Sequence, residues 1–345
     1  MELPKHIAVI RLSALGDVAM TVPVLRAFTS QNPSTKVTVV SKTFFEPLFK
    51  DLPNVTFLEA EVYGKHKGIL GLLKLAKEIK RRRVDTVVDL HQVIRSRIIC
   101  NYLFVLRVPS VSIKKGRKQK KALTEAQGKP LRWLLPMHER YAEVFRGLGF
   151  SLTLENTTFP PKKELCQQVQ TLTGKPLRKR IGIAPFAAFK SKMYPLEGMK
   201  EIAEELLINN HYQVFLFGGG KEEEEQLETM SSFHDNCINV AGKLSFEDEL
   251  ALISNLDLMI SMDSGNGHLA AAYGVSVITL WGVTHPAMGF MPFNQPKENQ
   301  ILSDRERYPK IPTSVYGNKY PEGYEQVMKS IPPKKVIEVI KKLLN

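Results

Sequence analysis

Short runs rich in Val and Ile alternate with stretches of helical spacing, and the alternation occurs twice along the chain. In the first half, residues 7–10, 37–40, 55–58 and 86–90 read as strands bounded by Pro, Asn or Asp, with helical spacing at 22–28, 44–49 and 69–79. In the second half, strands at 181–184, 214–217, 258–261 and 275–280 alternate with helices at 196–207, 222–230, 245–254 and 267–273. Such an order predicts parallel sheets covered by helices on both faces. The expected fold class is α/β, with two doubly wound, Rossmann-like domains facing across a cleft. Ligands of such sheets bind beyond the carboxyl ends of the strands.

Pro160-Pro161-Lys162-Lys163 interrupts the pattern and divides the chain into domains 1–160 and 161–330. Residues 284–330 are rich in Pro and Gly and read as loops, and Pro332-Pro333 opens a last helix. Its stripe of Val336, Ile337, Ile340, Leu343 and Leu344 is a packing face. With 345 residues, each domain can hold its own core. No segment approaches the ~18 uninterrupted apolar residues of a membrane span. The apolar run at 7–10 is too short for a signal-peptide core. Cys100, Cys166 and Cys237 form no metal spacing and read as reduced thiols. The expected location is therefore the cytoplasm.

Net charge is +13. Residues 1–160 hold 27 Lys and Arg against 13 Asp and Glu, a balance of +14, whereas residues 161–345 hold 21 against 22. The excess implies that the first half meets something anionic. Its densest part is Lys114, Lys115, Arg117, Lys118, Lys120 and Lys121, and Arg95 and Arg97 lie nearby, after Asp89-Leu90-His91-Gln92. A nucleic-acid partner would also account for the charge, but no helix-turn-helix, zinc-finger or RNA-recognition signature is present.

Three strand–turn–helix junctions carry candidate chemistry. Arg11-Leu12-Ser13-Ala14-Leu15-Gly16-Asp17 follows the first strand, and it matches neither the dinucleotide nor the P-loop pattern. Asp17 is there a helix-start carboxylate or a catalytic base. Phe217-Gly218-Gly219-Gly220-Lys221-Glu222 reads either as a turn of close backbone approach to a ligand, with Glu222 accepting from ribose hydroxyls, or as a flexible turn before an acidic helix start. Asp263-Ser264-Gly265-Asn266-Gly267-His268 would aim backbone N–H groups at a diphosphate. Lys190-Ser191-Lys192 could add cations to the same site.

At these residues the sequence resembles the glycosyltransferase family 9 heptosyltransferases, which build the inner core of bacterial lipopolysaccharide. RLSALGDVAMTVPVLRAF near the start and DSGNGHLAAAYGVSVITLWG from residue 263 carry the resemblance, with DLHQVIRS at 89–96, KMYP at 192–195 and GGGKEEEE at 218–225. The resemblance implies a GT-B fold, with an N-terminal acceptor domain (1–160), a C-terminal nucleotide-sugar domain (161–330) and a C-terminal helix (331–345) packing back toward the first domain. It implies inverting, metal-independent transfer of heptose, with ADP-heptose as co-substrate and no other cofactor. Asp17 falls on the family's proposed base, Lys192 on a donor-phosphate lysine, Glu222 on a ribose-binding acid, and Asp263 to His268 on the donor loop; Gly219 joins the donor set. Ser13, His91, Arg95, Arg97 and the 114–121 cluster form the expected acceptor set, facing an anionic lipid-linked glycan at the inner membrane. The chain has Ala187-Ala188 where characterised members often carry hydroxyl residues near the diphosphate. A nucleotide-sugar epimerase or hydrolase, or a non-catalytic nucleotide-sugar-binding protein, would share the same layout.

Overall fold

A computed structural model describes residues 2–125, 130–174, 178–208 and 211–344. The chain divides into two compact units: Met1–Lys115 with Met137–Phe159, and Gly116–Pro136 with Pro160–Asn345.

The first unit is built on five parallel strands, β1 (His6–Ile10), β2 (Lys36–Ser41), β3 (Val55–Glu59), β4 (Thr86–Asp89) and β5 (Ser110–Ser112), in the order β3-β2-β1-β4-β5. The second holds six parallel strands, β6 (Lys179–Ala184), β7 (Tyr212–Leu216), β8 (Cys237–Asn239), β9 (Leu258–Met262), β10 (Ser276–Trp281) and β11 (Gln300–Leu302), in the order β11-β10-β9-β6-β7-β8. The strand order reverses between β1 and β4 in one sheet and between β6 and β9 in the other. Successive crossovers leave such a point in opposite directions, so a crevice opens at the carboxyl ends of the two strands. Register places Ile10 beside Asp89 in the first sheet and Ala184 beside Ser261 in the second. The residues that follow these pairs are those on which the sequence reading centred.

All the strands read from sequence are present. The short edge strands β5, β8 and β11, three residues each, were not read, nor was the helix Ile94–Val105. That helix carries apolar residues on its exposed side (Ile94, Phe104 and Val105) as well as on its buried one, which blurs its period. It packs with the helix Gly68–Arg81 over one face of the first sheet, where Leu72, Leu75, Ile79, Ile99 and Leu103 meet Ile10, Val40 and Val87.

Three expectations need correction. Residues 284–330 are not simply loops: they contain β11 and three short helical turns, and they bury Ala287, Met288, Ile311, Val327 and Met328. The C-terminal helix Pro333–Leu344 belongs to the second unit, with Val336, Ile340 and Leu344 in its core against the helix Leu196–Leu207. Lys341 also pairs with Glu205 at 2.9 Å. The apolar stripe read as a packing face thus packs within the second unit.

The third correction concerns the basic cluster. Lys114 and Lys115 belong to the first unit, but the helix Arg117–Glu125 and residues 130–136 belong to the second. Lys120 is buried with its ammonium 3.8 Å from the centroid of Phe290. Leu134 N–H donates to the Ala287 carbonyl at 2.9 Å, and Lys297 lies 4.4 Å over the Trp133 ring. Gly289, at φ +86°, lets the Leu135 carbonyl lie where its Cβ would otherwise stand. Counted by unit, the balance is +9 (21 Lys and Arg, 12 Asp and Glu) and +4 (27 and 23), rather than +14 and −1.

Replacing Ile340 by Ala is expected to cost roughly 2–5 kcal/mol, the usual loss for a buried Ile truncated to a cavity. Denaturant unfolding of the second unit's core checks this; an unchanged midpoint would mean that the helix is peripheral.

Candidate active site

In the first unit, the turn after β1 brings Arg11 and Asp17 together. The Arg11 side chain is buried, forms an ion pair with Asp17 Oδ2 and donates from Nη1 to the Leu90 carbonyl at 2.7 Å. A buried guanidinium without partners would be strongly unfavourable, and this pair offsets that cost. Asp17 lies in the short helix Leu15–Ala19 with its side chain 31 % exposed, and among the described residues its ion pair with Arg11 is made through Oδ2, not Oδ1. Tyr141, fully buried, donates its hydroxyl to the Asp17 carbonyl at 3.4 Å. Ser13 lies half-buried in the same turn.

After β4, Asp89 is buried and structural. Its Oδ1 accepts from the N–H groups of His91 (2.9 Å) and Gln92 (2.8 Å), and its Oδ2 accepts from Ser96 Oγ at 2.9 Å. This tie fixes the turn into the helix Ile94–Val105 and sets His91 in place. The His91 ring is buried with Nδ1 unpartnered in the protein. Burial, aided by Arg11, Lys115, Arg95 and Lys42, pushes its imidazole down to about 3. His91 is therefore a neutral hydrogen-bonding group at physiological pH. Arg95 is exposed and lies over the Tyr63 ring at 5.1 Å, with Lys42 Nζ at 5.1 Å from the same ring; Arg97 is exposed. Of the basic run, Lys114 lends its carbonyl to Arg140 Nη1 at 3.1 Å, and Lys115 is half-buried. Arg117, Lys118 and Lys121 are exposed on the second unit, so the run is not one acceptor surface on the first, and Lys120 is withdrawn from solvent altogether.

In the second unit, Lys192 Nζ lies 3.0 Å from Asp263 Oδ2, both side chains 12 % exposed. Thr284 Oγ1 donates to the same oxygen at 2.9 Å. Lys192 is thus a held cation at the switch point, spanning the loops after β6 and β9. Beside Asp263 begins the helix Gly265–Ala272, whose N-cap Ser264 makes no capping bond and has a buried, unpartnered Oγ. Gly265 is half-buried and His268 is buried. Gly267 has a packing role as well. A Cβ there would stand 2.4 Å from Ser261 Oγ, so the glycine lets the helix lie against β9.

The glycine turn after β7 is held by its own helix. Gly219 N–H donates to Glu223 Oε2 at 2.9 Å and Gly220 N–H to Glu224 Oε1 at 3.2 Å, so the helix Lys221–Ser231 caps its own start. Gly219 therefore offers a ligand open space and not its N–H. Glu222 is exposed at the rim of an open pocket of about 630 Å³, shared with Phe186, Ala188, Lys190, Met193 and Tyr194. Ala188, one of the two alanines noted in the sequence, lines this pocket together with the aromatic side chains of Phe186 and Tyr194, the carboxylates of Glu222, Glu223 and Glu325, and the lysines Lys190 and Lys329. Sequence reasoning passed over Arg11 and Thr284. Arg11 opens the first motif and could have been read from it, whereas Thr284 lies in a segment taken for loop.

The sign of the His91 shift gives a pH test. The native state holds the ring neutral, while the unfolded chain takes up a proton near 6.5, so stability conferred by native packing is lost as pH falls from 6.5 toward 3. His91→Gln should therefore lose less of its unfolding midpoint than the parent chain between pH 6.5 and 4. Parallel loss in both would show that His91 does not titrate in this way.

The family model described as glycosyltransferase family 9 (heptosyltransferase) matches residues 72–319. The lipopolysaccharide core heptosyltransferase OpsX of Haemophilus influenzae is 29 % identical over 298 residues, covering 83 % of this chain and 81 % of the relative. Among solved structures, the glycosyl transferase family 9 protein from Veillonella parvula DSM 2008 superposes with TM-score 0.75 at 22 % identity, covering 100 % of this chain and 98 % of that one. E. coli ADP-heptose lps heptosyltransferase II superposes with TM-score 0.70 at 21 % identity, covering 98 % of each chain. The fold is thus GT-B, and the chain belongs to glycosyltransferase family 9.

Proposed function

We propose that this glycosyltransferase moves heptose from ADP-heptose onto the lipid-linked, anionic inner core of lipopolysaccharide, with inversion and without a metal. The observation that carries the reading is Lys192, held by Asp263 beside an uncapped helix start at the second sheet's switch point. That combination suits the diphosphate of a nucleotide sugar. The named activities of OpsX and of the E. coli enzyme supply the sugar and the acceptor class.

In the proposed reaction, an acceptor hydroxyl attacks the anomeric carbon while Asp17 takes its proton on Oδ1, and the bond from that carbon to the diphosphate oxygen breaks. Arg11 fixes the other oxygen of the carboxylate and so aims the base. Negative charge grows on the departing ADP. Lys192 and the first N–H groups of the helix Gly265–Ala272 stabilise it, a role that a divalent ion fills in other transferases. Glu222 holds the ribose, and Phe186 bounds the base side of the same pocket. Ser13 and His91, flanked by Arg95 and Arg97, hold the acceptor, with His91 acting as a neutral partner for a hydroxyl.

Asp17→Asn should lower transfer by about two orders of magnitude or more while keeping ADP affinity, the usual scale for a lost general base. A product assay with purified acceptor reads the first quantity and calorimetry the second; transfer at the parent rate would remove Asp17 from the role. Lys192→Met should weaken ADP binding, and unchanged affinity would sink the donor site. Thermal shift with ADP-, UDP-, GDP- and CDP-sugars should show the largest rise with ADP-heptose, since a ligand of the native state stabilises it by mass action.

A further inference from the structure

The charge excess of the first unit has a location that the basic run at 114–121 does not account for. Residues 65–107 hold 11 Lys and Arg against 3 Asp and Glu, a balance of +8 in a unit whose total is +9. All 11 cations are exposed. The three carboxylates are turned to other work. Asp85 accepts from the N–H groups of Lys5 and His6 (2.8 Å each), Asp89 caps the turn at His91, and Glu78 Oε2 lies 3.3 Å from buried His66 Nε2. Glu61, just before this range, pairs with Lys65 at 2.9 Å, and Asp85 is exposed, so the surface of this region carries a strong excess of positive charge with few acids among it.

The same region exposes apolar side chains. Tyr63, Ile69, Leu70, Ile94, Phe104 and Val105 are 65–83 % exposed, and among the described residues only Ile208 of the other large apolar side chains reaches that range. They lie on the helices Gly68–Arg81 and Ile94–Val105, packed side by side, and on the turn joined to them by the Tyr63–Arg95 stack. Along Gly68–Arg81 the outer face runs Ile69, Leu70, Lys74, Lys77, Lys80 and Arg81. The inner faces of both helices are already spent on the sheet core.

We propose that the outer face of this helix pair docks on a membrane surface bearing anionic lipid headgroups, with Leu70, Ile69, Phe104 and Val105 entering the headgroup–acyl boundary and the cations on the headgroups. Charge complementarity selects this occupant. A second copy of the chain would bring the same excess of positive charge against itself, and a nucleic-acid backbone offers no place for six aliphatic and aromatic side chains. A lipid interface accepts both kinds of group, as basic amphipathic helices do. The surface is independent of the identity of the transferred sugar.

The test is co-sedimentation of the full chain with vesicles of phosphatidylcholine alone and of phosphatidylcholine with one-third phosphatidylglycerol, at about 0.15 M salt, where exposed charges are screened beyond roughly 8 Å. Binding is expected only to the mixed vesicles. Changing Lys74, Lys77 and Lys80 together to Gln should weaken it on the order of a hundredfold, from about fivefold per cation, and Ile69→Ser with Leu70→Ser by roughly tenfold. Both variants should melt as the parent does and keep its ADP affinity, so failure of docking and failure of the donor reading are read separately. Equal affinity for both vesicles, no binding to either, or variants that bind like the parent would overturn the proposal. Tight binding of duplex DNA without vesicle binding would reassign the surface to nucleic acid, and a dimer abolished by Ile69→Ser with Leu70→Ser would reassign it to a second copy.

Discussion

A parallel strand can be joined to its neighbour only through a crossover that passes over the sheet, and this constraint organises both units. Where the order reverses, at β1/β4 and at β6/β9, the connections diverge and the carboxyl ends of two central strands are left without a covering helix. Polar groups can collect there at little cost because water and ligand reach them. Each reversal accordingly holds a cation tied to a carboxylate: Arg11 with Asp17 in the first unit, Lys192 with Asp263 in the second. The two pairs are not equivalent. In the first the cation is the buried partner and the acid is the more accessible one, as suits a base. In the second both are equally withdrawn, and Thr284 shares the acid, leaving the lysine as the group with hydrogens to spare.

The excursion of residues 116–136 into the second unit changes what the charges mean. A run of six cations in eight residues reads as one solvated patch, yet the chain uses part of it as packing. Lys120 loses its hydration, and the face of Phe290 provides the compensation that a buried ammonium requires. Trp133, held between Lys297 and the edge of the His285 ring, and Leu134, bonded to Ala287, complete the attachment. Residues 283–293, which had no evident pattern as sequence, are the surface that receives this segment. Their apolar character is legible only once the distant partner is known.

The central strands were legible because a buried parallel strand is an apolar run in sequence, whatever surrounds it. The edge strands were not, since three residues such as Cys237-Ile238-Asn239 leave too short a signal for periodicity. At the site, the residues after the strands could be found from topology alone, but their partners could not. Lys192 and Asp263 are 71 positions apart, and nothing local marks Lys192 as held rather than free. Gly219 and Gly267 each have a structural role besides the one read from sequence, and the two differ in how legible they were. The acids at Glu223 and Glu224 were visible in the GGGKEEEE string, and their spacing was sufficient to read self-capping. The close approach of Gly267 to Ser261, by contrast, depends on how a helix lies on a strand.

One helix connects the proposed acceptor chemistry to the proposed lipid surface. Ile94–Val105 starts at the turn that Asp89 ties down and that presents His91, and its outer side carries Ile94, Phe104 and Val105. At 12 residues it is about 18 Å long. Ile94 stands at the helix start, beside the turn that presents His91, so in the proposed docking that turn lies close to the plane the outer side touches. Docking would then do more than concentrate enzyme at the bilayer. It would confine the acceptor hydroxyl to a shell of fixed height above the lipid, converting a search in three dimensions into one in two. In this proposed arrangement the exposed apolar residues, unfavourable in water and disruptive of the helical pattern, would have a physical reason to remain exposed: they would hold the acceptor near the proposed base, Asp17.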